Sequence, residues 1–173
     1  MKIFDFSKLL NFIYDEFNSY KSIFGIPYIA FFKKDNNNSY SIFNYKIDTP
    51  IGVAAGPNSQ LSQNIIASYL VGARFIELKT VQEMDSLEIN KPCIDARDEG
   101  YNAEWSTELS LNEAFDEYLK AWIVLHLLDL ILPLNQINYP SFAFNMSVGY
   151  TFEGIMSKKM QNFIDKMLDA RKN

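Results

Sequence analysis

With 173 residues, 48% of them hydrophobic and 21% charged, the chain has the make-up of one globular domain and not of a disordered segment. At that length folding removes roughly 70% of the unfolded surface from water, so a sizeable core is expected. The net charge of −5 comes without the clustered basic footprint that nucleic acid requires, and the single Cys93 rules out an internal disulfide or a cysteine-rich metal or cluster site.

The charge is uneven along the chain. Between Glu83 and Glu108 there are eight acidic residues against Lys91 and Arg97, a local −6 that leaves the remainder near +1. The run Asp95 to Glu108 lacks calcium-loop spacing and reads as a solvated loop, so no metal site is expected. Lys158, Lys159, Lys166, Arg171 and Lys172 read as a solvated helix face near the end of the chain. Charges at Lys2, Asp5 and Lys8 interrupt what a signal peptide needs, and the apolar stretch Ala121 to Leu128 is too short to span a bilayer. A soluble cytoplasmic protein without membrane or nucleic-acid partners is the expectation.

In chain order, Phe6, Leu9, Leu10, Ile13, Phe17 and Tyr20 recur at helical spacing and predict an amphipathic helix that Gly25 and Pro27 end. Lys33 to Asn38 is a polar loop, with Asn36-Asn37-Asn38 at its tip. Tyr40-Ser41-Ile42-Phe43 and Tyr45-Lys46-Ile47 then alternate as a short hairpin. Residues 1–46 form an amino-terminal helix and hairpin extension on this reading, and residues 47–173 form the main body.

The body alternates strands and helices. A strand near Ile51 to Ala55 precedes a helix from Ser59 to Val71, with Gly72 as its left-handed stop. A second strand covers Ala73 to Thr80 and leads into a long loop. Ser110-Leu111-Asn112-Glu113 has the form of a capping box for a helix that buries Leu111, Ala114, Phe115, Tyr118, Ala121, Trp122, Leu125 and Leu128 and stops at Pro133. Ser141 to Val148 is a third strand, and Gly149 turns into a last helix from Thr151 to Ala170. This alternation implies an α/β fold with parallel strands and right-handed crossovers. Three such units are too few for an eight-stranded barrel, so either a small open sheet or part of something larger is expected.

Several segments carry a resemblance. Thr49-Pro50-Ile51-Gly52-Val53-Ala54-Ala55-Gly56-Pro57-Asn58-Ser59-Gln60-Leu61, Phe75-Ile76-Glu77-Leu78-Lys79-Thr80-Val81-Gln82, Lys91-Pro92-Cys93-Ile94-Asp95, Glu104-Trp105-Ser106-Thr107-Glu108 and Phe144-Asn145-Met146-Ser147-Val148-Gly149-Tyr150 are similar, in order and spacing, to the amino-terminal region of the YgfK-type proteins. Ser22-Ile23-Phe24-Gly25-Ile26-Pro27 resembles that family's leading segment. The family is associated with a selenate reductase subunit, and its first domain resembles dihydroorotate dehydrogenase, a flavin-binding (β/α)8 TIM barrel. The resemblance implies a partial barrel, its first three or so β/α units, from a flavin- and iron–sulfur-linked oxidoreductase. Iron–sulfur clusters and NAD(P)H or FAD modules belong to later parts of such proteins.

The same resemblance implies roles. Ala54, Ala55 and Gly56 match the backbone that lies against the FMN ring, where small side chains permit close approach. Lys79 matches the cation near the ring's pyrimidine edge, which stabilises negative charge on the reduced flavin, and Thr80 would bond at the same edge. Asn102 and Asn145 resemble substrate-binding asparagines, in a loop pattern that departs from the dehydrogenases and implies another small-molecule substrate. The phosphate-binding loops after the last two strands and the catalytic acid or base fall later than these residues, so the chain by itself is expected to be an inactive fragment that binds FMN weakly or not at all.

Plainer readings stand beside these. His126, flanked by Leu125 and Leu127, reads as a structural histidine, because a metal site needs several converging ligands. Cys93 in an acidic loop reads as a small buried side chain. Gly56-Pro57-Asn58-Ser59 lacks the Gly-Lys-Ser/Thr ending of a phosphate loop. Lys79 could instead serve a Schiff-base lyase. A non-catalytic α/β interaction domain, self-associating through unpaired strand edges, is the alternative from outside enzymology.

Overall fold

A computed structural model of the chain describes residues 2–34, 38–81, 94–96, 100–102, 109–132, 134, 142–148 and 151–171. Cys93, Trp105, Pro133, Gly149 and most of the acidic run lie outside the described residues. Helix α1 (Phe6–Tyr20) opens under Asp5, whose carboxylate accepts the Ser7 and Lys8 N–H groups at 3.1 and 3.2 Å. The helix stops earlier than Gly25 and Pro27 suggested. Lys21 takes the left-handed conformation at φ 53° and donates its N–H to the Phe17 carbonyl. Glu16 then accepts the Ser22 hydroxyl and the Phe24 and Gly25 N–H groups, each at 2.7 Å, which fixes the turn between β1 (Ser22–Ile23) and β2 (Ile26–Pro27).

Strands β3 (Tyr40–Ile42) and β4 (Tyr45–Ile47) pair as the expected antiparallel hairpin, with Phe43 and Asn44 at positive φ in a two-residue turn. The body follows as β5 (Gly52–Val53), α2 (Ser62–Leu70), β6 (Phe75–Val81), β7 (Ile94–Ala96), β8 (Gly100–Asn102), α3 (Leu111–Ile131), β9 (Ala143–Val148), α4 (Phe152–Met156) and α5 (Lys158–Leu168). Strands β5, β6 and β9 form one parallel sheet in that order, so each crossover joins neighbours. Among the described residues the sheet does not close on itself, and no helix is long and apolar enough to cross a membrane.

Three expected elements differ in detail. The helix expected from Ser59 is a 3-10 turn, Pro57–Gln60, before α2 begins at Ser62. The long loop holds the antiparallel pair β7–β8. The last helix breaks at Ser157, which leaves the helical region at ψ 146° and caps α5 by accepting the Met160 N–H at 3.2 Å. A serine side chain that bonds the backbone ahead of it favours a new start over continuation.

The core lies between the sheet and the helices. Ile76 and Leu78 of β6 are fully buried, and their partners across the ladder, Phe144 and Met146, lie on the same side, where Phe144 meets Trp122 of α3 edge-on at 5.2 Å. His126 packs against Trp122 and Phe142 at ring distances of 4.9 and 5.2 Å, as a structural histidine does. The capping box forms, with Ser110 N–H donating to Glu113 at 2.9 Å and the Ser110 hydroxyl accepting the Glu113 N–H at 3.3 Å. Glu117, on the same helix, is fully buried. Its carboxylate accepts the Ser62 N–H at 2.8 Å, at the first turn of α2, and pairs with Lys120.

Lys34 departs from the polar-loop reading. Its side chain is buried and meets Asp48 at 2.9 Å, and Asp48 lies 3.7 Å from the buried Arg74. Arg74 donates to the Tyr69 and Ala73 carbonyls at 2.7 and 3.0 Å and stacks over the Tyr69 ring. Leu9, Ile13, Ile23 and Phe31 share one cluster with the body's core, so the first 46 residues are joined to the body by both charge and apolar contact.

Candidate functional site

Parallel pairing brings the carboxyl ends of β5, β6 and β9 to one rim. Ala54, Ala55 and Gly56 leave β5 there, Lys79 and Thr80 precede Val81, the last residue of β6, and Asn145 lies in β9 opposite Glu77. Asn102 closes β8, which packs against the Pro57–Gln60 turn beside that rim. Six of the seven residues singled out from the sequence fall at or next to one end of the sheet, and Asn145 lies midway along β9.

The end of β6 is not regular. Leu78 pairs with Met146 and Val81 with Val148, so Lys79 and Thr80 stand where β9 has only Ser147. An inserted residue of this kind re-aims side chains and is common beside sites. It also returns Val81 to the buried side with no exposure, whereas strict alternation would place Val81 on the face of Glu77 and Lys79. Lys79 is itself buried, at 5% exposure, and its carbonyl accepts the Tyr118 hydroxyl at 2.9 Å. Burial, reinforced by the neighbouring Glu117 carboxylate, pushes the Tyr118 phenol far above its usual range and keeps it a donor.

The turn after β5 is held at two points. Ala55 donates its N–H to the Glu77 carboxylate at 3.2 Å, and Gly56 donates its N–H to the Ser59 hydroxyl at 3.1 Å. Ala54 and Ala55 are exposed. The two glycines flanking this segment differ. A Cβ on Gly52 would lie 2.0 Å from the Phe75 carbonyl oxygen, so the close approach of β5 and β6 demands glycine. Gly56 has extended backbone at φ −173°, and a Cβ there would meet nothing within 4 Å among the described residues.

Residues 24–173 match the family described as "Oxidoreductase YgfK, N-terminal TIM-barrel domain". The chain belongs to that family. The YgfK proteins of Escherichia coli strain K12 and Escherichia coli O157:H7 are each 53% identical to it over 170 residues, which cover 98% of this chain and 16% of theirs. No solved structure matches. The chain therefore spans a small part of the length of these relatives. Its α/β architecture, with three parallel strands joined in sequence order, fits a partial TIM barrel.

Two features mark the rim. A buried amine and a stretch of small, accessible residues lie together there. Among the described residues no three His, Cys, Asp or Glu side chains converge. Sequence reasoning passed over Glu77, Ser59 and Tyr118. Glu77 was legible in principle, since it stands between the apolar Ile76 and Leu78 and so points away from the side they bury.

Proposed function

We propose that this chain supplies the opening β/α units of a flavin-binding barrel in an oxidoreductase, with Ala54, Ala55, Gly56, Lys79 and Thr80 toward FMN and Asn102 and Asn145 toward a small oxidised substrate such as selenate. The observation that carries this is the open space over Gly56. Among the described residues the fold makes no steric or conformational demand for glycine there, and we take the missing side chain to serve something that comes to lie on the turn. A flat ring system is the ligand that uses such a surface.

The flavin when bound supplies the hydride and electron chemistry. The chain's part is to seat it and to set its electrostatics. Lys79, held out of water at the strand end, stabilises negative charge on the ring more strongly than an exposed lysine would. Iron–sulfur and pyridine-nucleotide modules would come from other parts of a YgfK-type polypeptide.

The test places this chain in the position of the matching 170 residues of the strain K12 protein and measures flavin released on denaturation. The parent chimaera should retain FMN, and Gly56→Leu should lose it while unfolding at the same temperature. Retention of FMN by Gly56→Leu would refute the assignment of the turn.

A further observation favours a partner role for the β9 side of the sheet, where β9 is the last strand among the described residues. Beside β9 a cavity of about 720 Å³ opens between Phe144, Met146 and Val148 of the strand and Ile164 and Met167 of α5. We propose it as the seat of the next β/α unit of the barrel. Left unfilled, it would promote self-association of the isolated chain. A compact monomer by sedimentation at all concentrations would contradict this.

A further inference from the structure

We infer that Glu77 is a positioning residue for the cofactor face, an inference that rests on the flavin reading above. The ladder between β5 and β6 has only two rungs, Gly52 with Phe75 and Val53 with Ile76. Past Val53 the chain diverges, and the next rung would have placed Ala54 beside Glu77. The Glu77 side chain takes over at that point and accepts the Ala55 N–H at 3.2 Å. With Ser59, in the turn that leads to α2, holding Gly56, the small-residue segment is tied to β6 on one side and to its own turn on the other. A backbone surface that is to meet a ring at van der Waals distance must be fixed to within a fraction of an ångström, and an untied strand end would not be.

Glu77 also acts through charge. It stands two residues from Lys79, about 7 Å along the strand, just before the irregularity at Lys79 and Thr80. A carboxylate there opposes the field that Lys79 exerts on a bound ring. Glu77 therefore holds the seat and moderates the cation, and its neutral isostere separates the two effects. Glutamine keeps an oxygen that can accept the Ala55 N–H and removes the charge.

The experiment uses the same chimaeric polypeptide with its flavin. Glu77→Leu should weaken FMN about tenfold, the scale of one lost hydrogen bond to a charged group. Glu77→Gln should retain FMN and shift its reduction potential to a less negative value, a readout that a purely structural role would not move. Circular dichroism and the unfolding temperature of both variants establish that they fold. If the parent holds FMN and Glu77→Leu holds it equally well at an unchanged potential, the inference is overturned and the flavin reading stands. If the parent itself holds no FMN, the flavin reading falls and the role of Glu77 falls with it.

Discussion

Replacing Asp48 with alanine should destabilise the chain severely. Its two oxygens lie 2.9 Å from Lys34 and 3.7 Å from Arg74, and none of the three side chains is more than 2% exposed. Alanine would leave two buried cations without their counter-ion. Arg74 keeps its bonds to the Tyr69 and Ala73 carbonyls, so the larger part of the loss falls on Lys34. Breaking a buried pair by removing one partner costs about 3–5 kcal/mol, a large share of the about 5–15 kcal/mol that holds a domain together. With a urea dependence of about 2 kcal/mol per molar, the unfolding midpoint should fall by about 2 M. The control is Asp169→Ala, which removes a pair with Arg171, whose side chain is 90% exposed, and should leave the midpoint unchanged. A fall of less than about 0.5 M for Asp48→Ala would refute the reasoning and mean that water reaches Lys34 freely.

Other outcomes follow from the same geometry. Gly52→Ala places a methyl 2.0 Å from the Phe75 carbonyl and should cost at least about 1–3 kcal/mol in urea unfolding, whereas Gly56→Ala should be neutral. Tyr118→Phe leaves the buried Lys79 carbonyl without its donor and should cost about 1–3 kcal/mol by the same measurement. Burial raises the Asp129 carboxyl above its ordinary 3.8, against the lowering effect of Tyr69, Arg74 and His126. The folded chain therefore holds that proton to higher pH than the unfolded one. The contribution of Asp129 to stability is complete below about 3.8 and is lost as pH rises through the folded value. Asp129→Asn should accordingly gain on the wild type between pH 4 and pH 7 in chemical denaturation, and a change in the opposite sense would show the sign to be wrong.

The order of strands and helices was legible because local signals agreed with the global fold. Ser110 and Glu113 announce α3, Asn44 suits the hairpin turn, and the 3.6-residue pattern of α3 matches the side chains it buries. Helix ends were less legible. Lys21 adopts a left-handed conformation that its sequence does not advertise, because Glu16 rewards the turn that follows by accepting three hydrogen bonds. The break at Ser157 was hidden because Lys158 and Lys159 continue an acceptable helical sequence. Charge was least legible of all. Lys34 sits in a polar stretch and reads as solvated, and its burial depends on Asp48, which reaches it only once the chain has folded. At the rim, the residue types of Ala54, Ala55, Gly56 and Lys79 were visible, but the irregularity at Lys79 and Thr80 needs the β9 partner to define it.

The reach of Glu117 to Ser62 bears on how the two helices melt. An opening N–H of α2 finds its acceptor 55 positions further along, on α3, and not in a residue of its own segment. Without α3, α2 lacks the acceptor at its opening turn, and without α2 the buried Glu117 loses a donor, so the pair should fray and reform together. Amide exchange at the first turn of α2 should then keep time with the middle of α3, and loosening one by a glycine in its solvent face should accelerate both.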